Sequence, residues 1–238
     1  IMRICSVVGN KDSGKTSLTV RIIKELKKRD FKVASIKHSH HNMVMDKEGT
    51  DTFKHKEAGS ETVVGIGSST FFNIDKQLSL DRILFLIKII SESEPDFVVI
   101  EGFKGYNYPK IATTPDVVDD FTIASVDAKN MDDSDVSLLV DKIENYGYDI
   151  IDTLFVDDCG YNDGKVIAKA FIDGNLQYDL EKQADISVSV DGVNIGINAF
   201  VNDFMKNTIL GMLNSLKTTE YGVKDFNKIE ILINNKKV

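Results

Sequence analysis

The chain has 238 residues, 42% hydrophobic and 28% charged, which suffices for a buried core in one α/β domain or a main domain with a smaller companion. Its formal net charge of -8 excludes a general electrostatic pull toward nucleic acid or anionic lipid, and neither is expected as a partner. Cys5 and Cys159 are too few for a disulfide framework, and no apolar stretch reaches the roughly 18 residues of a membrane span. The early sequence runs straight into RICSVVG without the features of a secretory leader, so the cytoplasm is the expected compartment.

Residues 2–8 (MRICSVV) read as a short buried strand ending at Gly9, with Cys5 as an inert core residue, and a helix begins near Lys15. Leu18, Ile22, Ile23 and Leu26 give that helix one apolar face, while Lys24, Lys27, Lys28 and Arg29 turn mostly to water. Residues 31–36 read as the next strand, followed by a polar, histidine-containing segment to about residue 50. Two strands at 62–66 and 70–74 are joined around Gly67, Ser68 and Ser69. An apolar helix over 78–90, a buried β-branched strand over 97–100, a strand over 121–126 and a helix over 135–146 follow.

Strands alternating with helices at this spacing predict a mostly parallel sheet with helices on both faces. After about residue 150 the composition changes. ISVSVDGVNIGI at 186–197 alternates around Asp191-Gly192, a two-residue hairpin signal. A helix over 200–216 and a last strand over 228–233 complete the reading. The expected division is a main domain over 2–150 and a small α+β domain over 151–238.

GNKDSGKT at 9–16 satisfies G-x-x-x-x-G-K-[ST] at every fixed position, after a predicted strand and opening a predicted helix. Gly9 and Gly14 let the backbone turn so that successive N–H groups face an anion. Lys15 adds a mobile positive charge for the β- and γ-phosphates, Thr16 offers its hydroxyl to Mg2+, and the helix N-terminus adds its dipole. The fold class is therefore α/β of the P-loop NTPase type. A second, acidic contribution to the magnesium site is expected at the end of another buried strand, where FVVIEG at 97–102 supplies Glu101. An ordinary solvent-exposed strand-end acid is the alternative.

All four histidines lie between residues 38 and 55. KHSHH at 37–41 follows a strand, at the edge where ligands bind in open α/β sheets. Three uses are open to it: contact with an anionic ligand or partner, a transition-metal site, or a plain polar loop.

GNKDSGKTSL, KHSHH, DKEGTDTFKHKEAGS at 46–60, VVIEGFK at 98–104 and YPKI at 108–111 occur in one order. In that order they resemble the molybdopterin-guanine dinucleotide biosynthesis protein B (MobB) family over residues 2–150. The resemblance implies a GTP-binding accessory protein with at most slow GTPase activity. It would assist the nucleotidyltransferase that joins GMP to molybdopterin. Carried over by position, Gly9, Asn10, Lys11, Asp12, Ser13, Gly14, Lys15, Thr16 and Ser17 would hold GTP, with Mg2+ on Thr16 and Glu101. Lys37, His38, His40 and His41 would lie on the functional loop, and Lys104 on a basic edge beside Glu101. Asp46, Gly49 and Asp51 match a D-x-x-G-x-D segment, from which Asp51 would reach the outer shell of the metal and join Lys15 and Glu101 in hydrolysis. Family members usually carry Thr-Thr after the P-loop lysine; here the second is Ser17. The base-reading [NT]-K-x-D motif is missing after the strand at 121–126, where AKNMD at 128–132 comes nearest.

Residues 157–174 look like the body of a small iron–sulfur module of pattern C-G-x-C-G-Y-x-x-C followed by an alanine-rich helix. Only Cys159 is present; Val156 and Gly164 occupy the other ligand positions, and residues 180–183 (LEKQ) hold no cysteine. Four thiolates are needed for such a cluster in one chain, so a module without an iron–sulfur cluster is expected. The helix from 200 to 216 reads as core against the neighbouring hairpin and last strand, with a homodimer contact as its second expected use. Two further functions compete: a metal-delivery GTPase with His38, His40 and His41 as cargo ligands, and a small-molecule kinase. The kinase lacks lid arginines, since only Arg3, Arg21, Arg29 and Arg82 occur.

Overall fold

The apolar runs at the start of the chain and before Glu101 have no polar face, and both become central strands buried on their two sides. In the computed structural model, which describes residues 2–39, 46–151, 164–176, 185–226 and 228–233, they are β1 (Arg3–Val8) and β5 (Phe97–Glu101). With β2 (Val33–Lys37), β6 (Lys110–Ala112) and β7 (Thr122–Ser125) they form one parallel sheet in the order β2-β5-β1-β6-β7. The pleat sends alternate side chains to opposite faces. Cys5, Val7, Phe97 and Val99 pack on one side against α1 (Lys15–Lys28) and α4 (Asp133–Tyr146). Ile4, Val98 and Ile100 pack on the other against Leu80 and Leu84 of α3 (Leu80–Ile90). The expected doubly covered parallel sheet is what forms. Burial pushes the Cys5 thiol up to about 12, in keeping with its reading as a core residue.

Helix α1 is joined to α4 by Arg29, whose guanidinium contacts Glu25, Asp141 at 2.6 Å, Glu144 at 2.5 Å and the Ser137 carbonyl at 2.9 Å. The hairpin expected at 62–66 and 70–74 is present as β3 (Thr62–Ile66) and β4 (Thr70–Ile74), an antiparallel pair outside the main sheet. A short helix unforeseen in the sequence, α2 (Asp51–Glu57), precedes it, with the Thr50 hydroxyl accepting from the Phe53 N–H. None of its residues is buried, so it carries no apolar stripe by which to be recognised.

Beyond residue 150 the hairpin forms as expected, whereas the last helix and the last strand depart from the reading. Helix α5 (Gly164–Ile172) places Ile167 and Ala168 in the same buried cluster as Met2 and Ile4, so packing does not stop at the expected boundary. The hairpin β8 (Val188–Val190) and β9 (Val193–Ile195) forms as read, Asp191 and Gly192 both having positive φ as a type I′ turn requires. Helix α6 (Ala199–Asn214), however, is not core: Asn202 is its one buried residue, and Phe200, Phe204 and Met212 are 63–75% exposed. The physical reason is that the described residues offer it little cover. The adjacent strands have three residues each, and the strand expected at 228–233 is not formed. Lys228 instead donates to the carbonyls of Lys88 and Ile89 at the C-terminal end of α3. His40, His41, Cys159 and the ligand positions at 156 and 180–183 lie outside the described residues.

Candidate functional site

The parallel register brings the ends of β1, β2 and β5 to one edge, where Val7 and Lys37 both pair with Glu101. The chain leaves β1 at Gly9. A Cβ there would fall on the Thr113 hydroxyl and 2.8 Å from Ser13 Oγ, so the position admits no side chain. Thr113 ties the loop to the sheet: its N–H donates to the Val8 carbonyl at 2.8 Å, and its hydroxyl lies 2.6 Å from that of Ser13. Gly14, with φ of 85°, turns the chain into α1. Gly9→Ala is expected to destabilise the protein by roughly 1–3 kcal/mol through overpacking. A thermal unfolding midpoint lower by several degrees checks this.

Lys15, the first residue of α1, folds back so that its ammonium meets the Asn10 carbonyl across the loop. Burial lowers its pKa below the ordinary lysine value, opposed by Glu101 and reinforced by Lys37 and Lys104. The Thr16 hydroxyl donates to Glu101 Oε1 at 2.8 Å, and the Lys37 ammonium pairs with the same oxygen. Glu101 is only 5% exposed, so it is no ordinary solvent-facing strand-end acid. A hydroxyl and a carboxylate oxygen side by side are hard donors of the kind Mg2+ takes when phosphate oxygens and waters complete its octahedron. The residues fit that ion.

Asn10 joins the loop to both of its neighbours. Lys104 donates to Asn10 Oδ1 at 3.2 Å, and Asn10 Nδ2 donates to both carboxylate oxygens of Asp116 at 3.0 Å. The nearby Thr114 hydroxyl and the hydrogen bonds from Asn10 hold the Asp116 carboxyl below the usual aspartate range. His38 donates its backbone N–H to the Glu101 carbonyl at 2.9 Å, and its ring stacks on Phe103 at 4.1 Å. Phe103 has a φ of 57°, a left-handed conformation uncommon for a bulky side chain, directly after Glu101 and Gly102.

Of the residues singled out in the sequence, Asn10, Lys15, Thr16, Lys37, His38, Glu101 and Lys104 converge on this edge. Lys11, Asp12 and Ser17 are exposed along the loop and the first turn of α1. Asp51 is not brought in: its side chain is 90% exposed and pairs with Lys54 at 3.2 Å. Asp46 accepts from Thr50 and Thr52 at 3.0 Å, within its own segment. Among the described residues there is no cluster of three or more His, Cys, Asp or Glu side chains suited to a metal ion. Thr113 and Asp116 were not foreseen. They follow β6, whose three residues include a lysine and give no apolar run; only Pro115 marks a turn there.

The profile of the family described as molybdopterin guanine dinucleotide synthesis protein B, MobB, matches residues 4–131. A Methanocaldococcus jannaschii protein provisionally named a molybdopterin-guanine dinucleotide biosynthesis adapter protein is 35% identical over 231 residues, covering 91% of this chain and 92% of that protein. A Haemophilus influenzae protein named a molybdopterin-guanine dinucleotide biosynthesis adapter protein is 34% identical over 60% of this chain and 88% of its own length. The crystal structure of Bacillus subtilis MobB is 28% identical, with a TM-score of 0.41, over 48% of this chain and 68% of that one. With its P-loop, its strand-end glutamate and this breadth of similarity, the chain belongs to the MobB family.

Proposed function

We propose that the chain is a GTP- and magnesium-binding accessory protein of molybdopterin-guanine dinucleotide biosynthesis, working beside a nucleotidyltransferase that carries out the GMP transfer. The observation that carries this reading is the convergence of Lys15, Thr16 and Glu101 at the P-loop of a MobB-family chain. Backbone N–H groups of residues 9–16 and the Lys15 ammonium neutralise the triphosphate. Thr16 and Glu101 would hold Mg2+, which would supply neutralisation of the triphosphate charge when bound. Hydrolysis is slow in this reading because Glu101, the carboxylate assigned to the metal, is engaged by Thr16 and Lys37. Asp51 takes no part, paired as it is with Lys54. The adapter names of the relatives support a partner enzyme, and molybdopterin is the cofactor precursor brought with it. A homodimer is the proposed assembly. Val64, Ile66, Phe72 and Ile74 form an exposed apolar face on the β3–β4 hairpin that a second copy would cover.

The test is co-purification of the full chain from a host making molybdopterin, with bound nucleotide, pterin and protein then identified. Recovery of a nucleotidyltransferase, in amounts that rise with added GTP, is the expected result. Recovery of neither transferase nor guanine nucleotide would remove the proposal.

A further inference from the structure

Lys37 and Glu101 lie at the ends of β2 and β5, on one side of the P-loop strand. For a triphosphate whose terminal phosphate and magnesium sit at Glu101, β6 and β7 lie on the opposite side of the P-loop strand, open to its nucleoside. The chain leaving β7 closes on the phosphate loop at that side. A Cβ placed on Gly14 would lie 3.1 Å from Ala128 Cβ and 3.4 Å from Lys129 Cγ.

This loop is held firmly. The Val126 N–H donates to the Ala112 carbonyl at 2.9 Å, and Ala128 is buried in the core between sheet and helices. From α1, Arg21 donates to the Met131 carbonyl at 2.8 Å. On this fixed base stand three exposed side chains, Asp127, Lys129 and Asn130. Asp127 Oδ1 accepts from the Lys129 N–H at 3.2 Å and Oδ2 from Asn130 Nδ2 at 2.6 Å. Each carboxylate oxygen has a second lone pair to offer a ligand.

Resting on the nucleotide-site reading above, we propose that the loop from Asp127 to Asn130 reads the base and selects guanine, with Asp127 as the discriminating residue. Guanine presents two adjacent donors on its Watson–Crick edge, N1–H and the 2-amino group, which a carboxylate accepts together. Adenine turns an acceptor, N1, toward that carboxylate and is rejected. The Lys129 stem, lying along Gly14, gives the ring face an apolar wall. The usual [NT]-K-x-D pattern is absent, but its two chemical parts, a lysine stem on the phosphate loop and a carboxylate beside it, are present in a different order.

The experiment titrates the full chain, with Mg2+, against GTP, ITP, ATP, XTP and inorganic tripolyphosphate, and repeats it with Asp127→Asn. Wild-type protein is expected to bind GTP about tenfold or more tightly than ITP, which lacks the 2-amino donor, and more tightly still than ATP. Asp127→Asn is expected to lose roughly 10- to 100-fold in GTP affinity and to gain XTP, whose 2-oxo group accepts from the new amide, with tripolyphosphate binding unchanged. Equal wild-type affinities for GTP, ITP and ATP would overturn the inference without any variant. Asp127→Asn that keeps GTP and gains no XTP would overturn it as well, leaving the phosphate site standing. A wild-type chain that binds neither tripolyphosphate nor any nucleotide overturns the nucleotide site itself, and this inference with it.

Discussion

Lys15→Ala is expected to abolish measurable GTP binding while leaving the fold intact. The ammonium lies over the phosphate loop against the Asn10 carbonyl, at the N-terminus of α1, and takes no part in either apolar cluster. Its removal therefore costs little packing. Truncating one partner of a close, desolvated charge pair costs about 2–5 kcal/mol, which corresponds to a loss of roughly 30- to several-thousand-fold. Calorimetry with Mg2+ and GTP measures the loss, and far-UV circular dichroism checks the fold. Micromolar binding retained by the variant would contradict the assignment of residues 9–16 as the triphosphate site. A pH effect follows with a definite sign. Burial lowers the Lys15 pKa, so its charge and the affinity it confers are lost at a pH below that for an ordinary lysine.

Lys88→Met is expected to give the largest loss of stability. Lys88, on α3, pairs with Asp149 at 2.7 Å and Glu94 at 3.1 Å, with side chains only 16% and 11% exposed for the first pair. Burial works against the lysine charge, yet Asp149 and Glu94 outweigh it and raise its pKa, so Lys88 remains an ammonium. Burial also raises Asp149, against the opposing pull of Lys88. Removing the cation leaves a buried carboxylate alone, at a cost of about 3–5 kcal/mol. The pH dependence has one sign. A carboxyl raised in the folded state stabilises in acid, and that stability is lost as pH rises from about 4 through the raised value. The variant is therefore expected to be weakened more at pH 7.5 than at pH 5. Urea unfolding at the two values checks this; a loss under about 1 kcal/mol at pH 7.5 would contradict it.

The central sheet was legible because its inner strands are short, predominantly apolar runs. The phosphate loop was legible because chemistry constrains its spacing residue by residue. Glu101 was readable as a strand-end acid, but its burial, and its contact with Thr16, depend on register across β1, β2 and β5. The third side of the site was hidden. Strand β6 carries Lys110, 1% exposed, whose ammonium is held by the Lys104 carbonyl at 2.7 Å and by Asp119. A lysine in a three-residue strand breaks every apolar pattern, so Thr113 and Asp116 had no signal in advance. Helix α6 misled in the opposite sense. Its apolar stripe reads as core, but burial also needs a covering surface, which two three-residue strands do not provide. The segment from 46 to 60 illustrates a third limit: among the described residues Asp46 bonds Thr50 and Thr52, and Asp51 pairs with Lys54, within the segment itself.

The triphosphate site at residues 9–16 is tested by titrating the full wild-type chain with GTP by calorimetry, with and without Mg2+. Saturable one-to-one binding that tightens when Mg2+ is present is the predicted result, because Thr16 and Glu101 then share the ion with the phosphates. Absence of binding under both conditions, or binding indifferent to Mg2+, would contradict it.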